Sequence, residues 1–280
     1  MKISKTIRRG FACIAALAIS ATLVAPRAHA DGDYFSPTDE RVRLSLGAMH
    51  VSTSTRVRAD SSAGTTGTEI DGEHDFGLDK SDFEPKFQVM VRVATRHRLT
   101  FDYFTLDRSG SATVGRTPIV FRDVVLLPGD PLQTSLSLRT FGMAYGYSLW
   151  HSEKLEIAAT LGVHTTDIST TARVQTQTRH IIQSEDAAGP VPVVGIDGTW
   201  VISKRFYLDW RAQYLNVHVH NLDGSLGFYD LDALYRFRPN VSFGIGYVEV
   251  RAHLASLKTA QTGLFDFNSK GPEMFVRVAF

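Results

Sequence analysis

Apolar residues alternate with polar or very small residues along much of the chain, in segments of about ten residues or more. In the stretch 141–149, for example, large apolar side chains stand at every second position and only Gly, Ala and Ser lie between them. A period of two residues is that of a β-strand with one apolar face. No apolar run in residues 31–280 approaches the roughly 20 residues of a membrane-spanning helix. The pattern therefore predicts an all-β protein, namely a closed antiparallel transmembrane β-barrel.

The alternation predicts about ten strands, an even number that places both ends of the barrel on the same side of the membrane. Eight strands are the alternative, if two of the segments are only hairpins within loops. The segments are 41–58, 84–95, 98–108, 133–149, 154–170, 190–203, 206–219, 225–237, 241–257 and 272–280.

Short and long connections alternate between these segments. The short ones are 96–97, 151–154, 204–205 and 238–240, and the long ones are 60–83, 109–131, 171–189 and 258–270. Outer-membrane barrels have short periplasmic turns and long extracellular loops, with aromatic rings at both membrane interfaces. Aromatic residues near the short turns or the C-terminus are Trp150, Trp200, Phe206, Tyr235, Phe237, Phe243 and Phe280; those toward the long loops are Tyr103, Tyr214, Tyr229 and Tyr247.

The N-terminus has the features of an export signal. Four basic residues within positions 2–9 precede the apolar stretch 13–25 and the small-residue site Ala28-His29-Ala30. An apolar stretch of about thirteen residues is too short to cross a bilayer as a helix. We therefore predict a cleaved signal peptide at residues 1–30 and an exported barrel domain with long extracellular loops at residues 31–280.

Composition excludes several classes of site. Cys13 is the single cysteine and lies in the predicted signal peptide, so the mature chain has no disulfide or thiolate metal site. The signal peptide holds five of the 30 basic residues and none of the 29 acidic ones, which leaves a mildly acidic mature chain. Such a chain is a poor candidate for binding nucleic acid. We expect no cofactor and no resident metal.

Charged residues of both signs stand at the inward-facing positions of the predicted strands. Two interpretations apply: an ion path, or a set of ion pairs that plugs a barrel whose interior is just wide enough for side chains. We favour the plug. The residues are Arg43, Arg92, Asp102, Glu156, Asp197, Asp209, Arg211, Asp230, Asp232, Arg236 and Arg277.

An acidic loop is a candidate cation site. Glu69, Asp71, Glu73 and Asp75 would share one face if the segment were extended, and carboxylate oxygens suit hard divalent cations. The spacing is not that of an EF-hand, because the required glycine is absent at the sixth position. A solvated acidic loop is the favoured alternative.

Histidines near the predicted rim suggest a possible enzymatic role. His218 and His220 precede Asp223, and His164 precedes Asp167. An Asp–His pair at the rim of a ten-stranded barrel resembles the omptin proteases, and "HVS" at residues 50–52 resembles the His-x-Ser pair of lipid A deacylases. Neither resemblance supplies a complete catalytic set, so the catalytic residues are unknown and an enzyme acting at the rim is the alternative function.

The last segment, "MFVRVAF" (residues 274–280), alternates as a closing strand with Val276, Val278 and Phe280 toward lipid. It resembles the C-terminal signal by which the outer-membrane assembly machinery recognises barrels.

Taken as a whole, the chain resembles a broad set of small Gram-negative outer-membrane β-barrel proteins, similar in kind to OmpA-, OmpW- and omptin-like barrels. The resemblance rests on "GTEIDGEHDFGLD", "RHRLTFDYF", "PVPVVGI" and the ending "MFVRVAF". It implies an outer-membrane location, with lipids, lipopolysaccharide and the assembly machinery as partners, and a structural, surface-binding or minor, porin-like permeation role. It implies no ligand and no oligomeric state.

Overall fold

A computed structural model describes residues 35–61, 65–121, 124–175, 180–219, 222–256 and 262–280. The predicted signal peptide lies outside the described residues. A 3₁₀ turn, Pro37–Asp39, precedes the strands β1 (Val42–Ala59), β2 (Ile70–Asp71), β3 (Ser81–Ala94), β4 (His97–Thr113), β5 (Ile119–Phe121), β6 (Val124–Leu126), β7 (Pro131–His151), β8 (Leu155–Gln175), β9 (His180–Val201), β10 (Phe206–Val219), β11 (Leu222–Arg238), β12 (Val241–Ser256) and β13 (Gly263–Ala279). Within the described ranges, no helix has the length and apolar character to span a bilayer.

Ten long strands form a closed antiparallel barrel. Consecutive long strands pair with each other, and the ring closes where β13 pairs with β1, from Arg43 opposite Ala279 to Ala59 opposite Gly263. The short strand β2 pairs with β1, and β5 and β6 form a separate hairpin within the connection between β4 and β7. The predicted fold class is confirmed, and the number of barrel strands is ten rather than eight.

Several predicted loops are in fact strand, and these predictions were wrong. Most of the connection 171–189 belongs to β8 and β9, residues 109–113 extend β4, and β13 begins at Gly263 rather than at residue 272. β7 contains 21 residues and spans roughly 70 Å, against about 30 Å for the hydrocarbon core of a bilayer. Strands that rise above the membrane keep their hydrogen bonds but no longer need an apolar outer face, so the alternation used to find strands ends before the strands do.

The outer face of the barrel changes from apolar to polar at one level. On β7, the outward side chains are apolar from Leu149 to Phe141, and the next ones are Arg139 and Ser137. On β12, the change falls between Tyr247 and Glu249. All the aromatic residues predicted near the two interfaces have exposed rings. The apolar band and its two aromatic belts are those of a barrel that crosses a membrane. We call the end with the short turns periplasmic and the other end extracellular.

Paired arginine substitutions on β8 test the position of this boundary. Leu161 is 61% exposed within the apolar band, and Ser169 is exposed on the same face of the same strand beyond the boundary. Leu161→Arg is expected to lower the free energy of unfolding by about 2–4 kcal/mol, because an arginine then faces lipid. Ser169→Arg should change it by less than about 0.5 kcal/mol. Urea titration of the protein in lipid vesicles measures both, and equal effects would place the boundary elsewhere.

Prolines interrupt the ring toward the extracellular side of the apolar band. The pairing of β3 with β4 stops at Lys86 opposite Phe104, next to Pro85, and the pairing of β9 with β10 stops at Val194 opposite Tyr214, close to Pro192. Proline has no N–H for a neighbouring strand and is tolerated only where a strand has an edge. The first gap closes again through the Asp79 N–H, which donates to the Ser109 carbonyl at 3.1 Å. Above Val194, the described part of β9 pairs with β8 alone.

Apolar residues fill the extracellular half of the interior. Side chains from the connections 65–80 and 114–130 pack on inward residues of β7 and β8, including Leu132, Leu136 and Val174. A second apolar layer lies around Met49, Leu138 and Phe267. Charged side chains dominate the membrane-spanning part of the lumen near the periplasmic end.

Candidate functional site

The interior of the barrel is the candidate site, and strand alternation alone aims its charges inward. Each of the eleven predicted charges has a side chain that is buried or largely buried inside the barrel. What the structure adds is their partners. The ion pairs form three numbered groups and one further set that holds the segment before β1, described here from the periplasmic end upward.

Glu156 is the centre of the first group. Its side chain is fully buried and accepts two hydrogen bonds from Arg92, at 2.8 and 2.7 Å, and one from Arg98 at 3.0 Å. Ser148 also donates to this carboxylate, and Arg98 pairs in addition with Asp197. One carboxylate therefore links β3, β4, β7 and β8, and Arg98 extends the link to β9.

The segment before β1 is held across the periplasmic mouth. Arg236 on β11 donates to the Phe35 carbonyl and to the Glu40 carboxylate, and Arg43 on β1 donates to Glu40 at 2.8 Å. The Ser36 hydroxyl donates to the Glu153 carbonyl, in the turn after β7, at 2.6 Å. Residues 35–40 thus bond to strands on well-separated sides of the ring, and the side chains of this segment obstruct the mouth.

The second group surrounds Asp209 on β10. Its carboxylate pairs with Arg277 and lies 3.7 Å from an Arg43 nitrogen. The Thr199 hydroxyl donates to the same carboxylate at 2.7 Å. Asp209 therefore joins β1, β9, β10 and β13.

The third group includes charges that the sequence did not reveal. Arg211 reaches across the lumen to Asp102 at 2.9 Å, and Lys86 binds Asp230 at 3.2 Å and Glu273 at 2.9 Å. Lys86 and Glu273 lie within the predicted segments 84–95 and 272–280, but each directly follows a proline near the start of its segment and was not counted among the inward charges. Their even spacing from Arg92 and Arg277 was the available signal, since residues an even number apart share a face.

Little empty space is left between these ion pairs. Two cavities of only about 20 and 50 Å³ lie within the charged layer and share Gln88, Asp232 and Arg277 in their walls. Their walls are polar, so they suit water molecules that hydrate the charges. The arrangement can therefore hold water and fix charges.

The predicted pair of His164 and Asp167 does not form. His164 is buried in the lumen, whereas Asp167 is exposed on the outer face. Residues three apart on a strand point to opposite faces, so the prediction was wrong for a geometric reason. The His164 ring stacks on Phe228 with a centroid separation of 4.2 Å, and its Nε2 lies 3.0 Å from Gln213 Oε1.

Two of the other predicted histidines, His50 and His218, lie on the outer face. His218 Nε2 is 3.1 Å from an Asp223 carboxylate oxygen, across the pair of strands β10 and β11, and His220 lies outside the described residues. His50 packs against Phe83 at 4.5 Å with Ser52 exposed beside it. No group of three or more His, Cys, Asp or Glu arranged for a metal ion occurs in the portion of the chain that the structure describes.

The acidic loop is a turn, so the predicted shared face of its carboxylates does not exist. Asp71 accepts hydrogen bonds from the backbone N–H groups of Glu73 and His74, at 3.1 and 2.8 Å. Asp75 accepts from the Asp71 N–H at 2.9 Å, and Glu73 pairs with Arg108 at 2.6 Å. These carboxylates serve as hydrogen-bond acceptors that fold the loop, and Glu69 lies outside this set of contacts.

The Asp60 carboxylate links two segments of the chain at the extracellular end of the barrel. Asp60 accepts hydrogen bonds from the Thr262 hydroxyl and from the Gly67 N–H, the latter at 2.8 Å. The hydrogen bond from Thr262, and to a lesser extent that from Gly67, holds the pKa of Asp60 below its usual range, because each stabilises the charged form. The contact ties the end of β1 to the chain just before β13.

Together these features define a closed ten-stranded antiparallel β-barrel of the outer-membrane type. No protein-family model matches the sequence, and no curated protein matches it either. Among solved structures, the outer membrane protease OmpT from Escherichia coli aligns with a TM-score of 0.55 at 11% identity, over 90% of this chain and 99% of that one. The translocator domain of the autotransporter NalP from Neisseria meningitidis aligns with a TM-score of 0.45 at 11% identity, over 99% and 100% of the two chains. At such identities the OmpT similarity establishes the fold alone, and the NalP similarity is too low to add to it.

Proposed function

We propose that the protein is an integral outer-membrane barrel that acts through its surface, in a structural or binding role, and that its lumen is closed to solutes. The observation that carries this proposal is the set of ion pairs that cross the lumen from wall to wall. Arg211 to Asp102, Lys86 to Asp230 and Arg92 to Glu156 each join strands that are not neighbours in the ring.

Opening a path through this layer would separate buried opposite charges. Breaking a buried ion pair costs about 3–5 kcal/mol when one charge is left uncompensated. Several such pairs would have to move together for a solute to pass, and residues 35–40 obstruct the periplasmic mouth as well. The free-energy cost of separating several buried ion pairs also argues against the minor permeation role.

The partners follow from the outer face. The apolar band and aromatic belts fit the lipids of the outer membrane, including lipopolysaccharide on the extracellular side. We also propose that residues 1–30 are removed on export and that the barrel assembly machinery recognises the last strand.

The closed lumen predicts an electrically silent protein. Purified, folded protein added to a planar bilayer is expected to give no stepwise currents, while a general porin under the same conditions does. Heat-modifiable gel mobility should establish beforehand that the barrel is folded. Reproducible unitary currents from the wild-type protein would contradict the proposal.

An enzymatic role at the rim rests on one contact, between His218 and Asp223. Both side chains are well exposed and face outward, away from the lumen. The contact joins residues directly opposite each other on β10 and β11. Cross-strand pairs of this kind commonly stabilise a sheet, so the contact favours a structural role over a catalytic one.

A further inference from the structure

Basic residues with exposed side chains occur at every short turn of the periplasmic end. Each of the four turns, after β3, β7, β9 and β11, carries or adjoins at least one of them, and one more stands just before β1. We call this set the basic collar; its members are Arg41, Arg96, Lys154, Lys204, Arg205 and Arg238.

The collar has few negative charges beside it. The acidic side chains Glu40, Glu156 and Asp209 lie at the same end, but they point into the lumen and are paired there with arginines. Asp39 stands 3.2 Å from His151. The other exposed anions at this end, among the described residues, are Glu153 and the carboxylate of the last residue. Among the described residues, the six exposed cations of the collar therefore outnumber three exposed anions, which leaves a positive outer rim.

Five of the six collar side chains are available to a partner. Arg41, Arg96, Lys154, Lys204 and Arg238 form no ion pair within the described ranges. Arg205 donates to the Tyr235 hydroxyl at 3.2 Å, which fixes its guanidinium beside a ring of the periplasmic belt.

The collar lies at the depth of lipid headgroups. Phe206 directly follows Arg205, and Arg238 directly follows Phe237, and both aromatic rings are exposed in the periplasmic belt. Aromatic rings of such belts sit at the headgroup level of the bilayer. One residue along a strand advances about 3.3 Å, so the collar cations reach the plane of the phosphates.

We propose that the basic collar binds the headgroups of anionic phospholipids in the periplasmic leaflet, such as phosphatidylglycerol or cardiolipin. Lysine and arginine near an anionic lipid surface are attracted to its phosphates. The distribution of charge favours lipid over a protein partner. Collar residues occur around the whole circumference, and lipids surround a barrel, whereas one protein would contact one side.

The extracellular rim has a different composition. Just beyond the extracellular boundary, Arg251 stands 2.7 Å from Glu249, and Arg139 lies opposite Asp167. Charges of both signs are therefore interspersed there. The two ends of the barrel differ in the charge that they present to their leaflets.

Nanodiscs of defined composition test the collar. The full chain is reconstituted in phosphatidylcholine with a minor fraction of phosphatidylglycerol, and the lipids retained on the protein are counted by native mass spectrometry. Wild-type protein is expected to retain phosphatidylglycerol in preference to phosphatidylcholine. The triple variant Arg96→Gln, Lys154→Gln and Lys204→Gln should reduce that preference about tenfold or more, since each cation contributes to attraction.

A matched variant at the other end controls for general loss of charge. Arg139→Gln, Arg173→Gln and Lys270→Gln removes three exposed cations beyond the extracellular boundary and should leave the preference unchanged. Heat-modifiable mobility must show that both variants fold. An equal loss in the two variants, or no preference in the wild type, overturns the proposal.

A soluble polyanion distinguishes lipid from an acidic periplasmic protein. If polyglutamate in excess displaces phosphatidylglycerol from the wild-type protein, the collar is a general anion surface and the lipid assignment is wrong. Lipid binding by the collar requires membrane insertion but does not require a closed lumen. Unitary currents in a planar bilayer would therefore contradict the proposed function without contradicting the collar proposal.

Discussion

Replacing Glu156 with alanine is expected to destabilise the barrel by about 3–5 kcal/mol. The side chain has no exposed surface, and its removal leaves Arg92 and Arg98 as partly uncompensated cations inside the lumen. Ser148 also loses its acceptor. Urea-induced unfolding of the protein in lipid vesicles, followed by gel mobility without heating, measures the change.

The turn after β7 provides a matched control. Glu153 is three residues away, has the same chemistry and is exposed, so Glu153→Ala should change stability by less than about 0.5 kcal/mol. Glu156→Gln keeps the volume and one acceptor oxygen, and its cost should fall between the two. A loss as small for Glu156→Ala as for Glu153→Ala would show that the network contributes little to stability.

Deleting Phe280 is expected to lower strongly the amount of folded protein in the outer membrane. Its carbonyl accepts hydrogen bonds from the N–H groups of Arg41 and Val42, at 2.7 and 3.1 Å, and its own N–H donates to Val42 at 2.9 Å. These bonds complete the seam between the first and last strands, and the ring is exposed to lipid at 54%. Fractionation of outer membranes and blotting of unheated samples measure the folded amount.

Phe280→Ala separates the seam from the ring. It keeps all three backbone hydrogen bonds and removes only the aromatic side chain. If the ring is the assembly signal, the alanine variant should be depleted nearly as much as the deletion. If only the deletion is depleted, the seam hydrogen bonds matter and the proposed signal is wrong; normal folded levels in both refute the prediction altogether.

The barrel could be predicted from sequence because lipid imposes a simple rule on every strand that crosses it. The outward residues of β7 from Phe141 to Leu149 must be apolar, and the small inward residues between them make the period visible. Above the membrane this rule no longer applies. The upper end of β8, beyond the predicted segment 154–170, carries Arg173 and Gln175 outward, so its sequence is like that of a loop and this part of the strand was not recognised.

The inward direction of the charges was predictable, but their partners were not. Residue parity aims Arg92 and Glu156 into the lumen, yet they lie on β3 and β8, and their contact depends on how the closed ring staggers its strands. Local sequence contains no information on that stagger. The shared face predicted for the carboxylates of the acidic loop was wrong for a local reason. The Asp71 side chain accepts hydrogen bonds from the backbone that follows it and folds the loop into a turn, so the extended geometry that the cation hypothesis assumed does not form.

The prolines at positions 85 and 192 have a mechanical consequence. Among the described strands, a hoop of hydrogen bonds runs around the whole circumference only on the periplasmic side of these prolines. Above Val194, a pull on the extracellular end has no described ladder between β9 and β10 through which to spread sideways. Such a load passes down individual strands into the hoop, so the upper walls can part while the hoop itself stays closed.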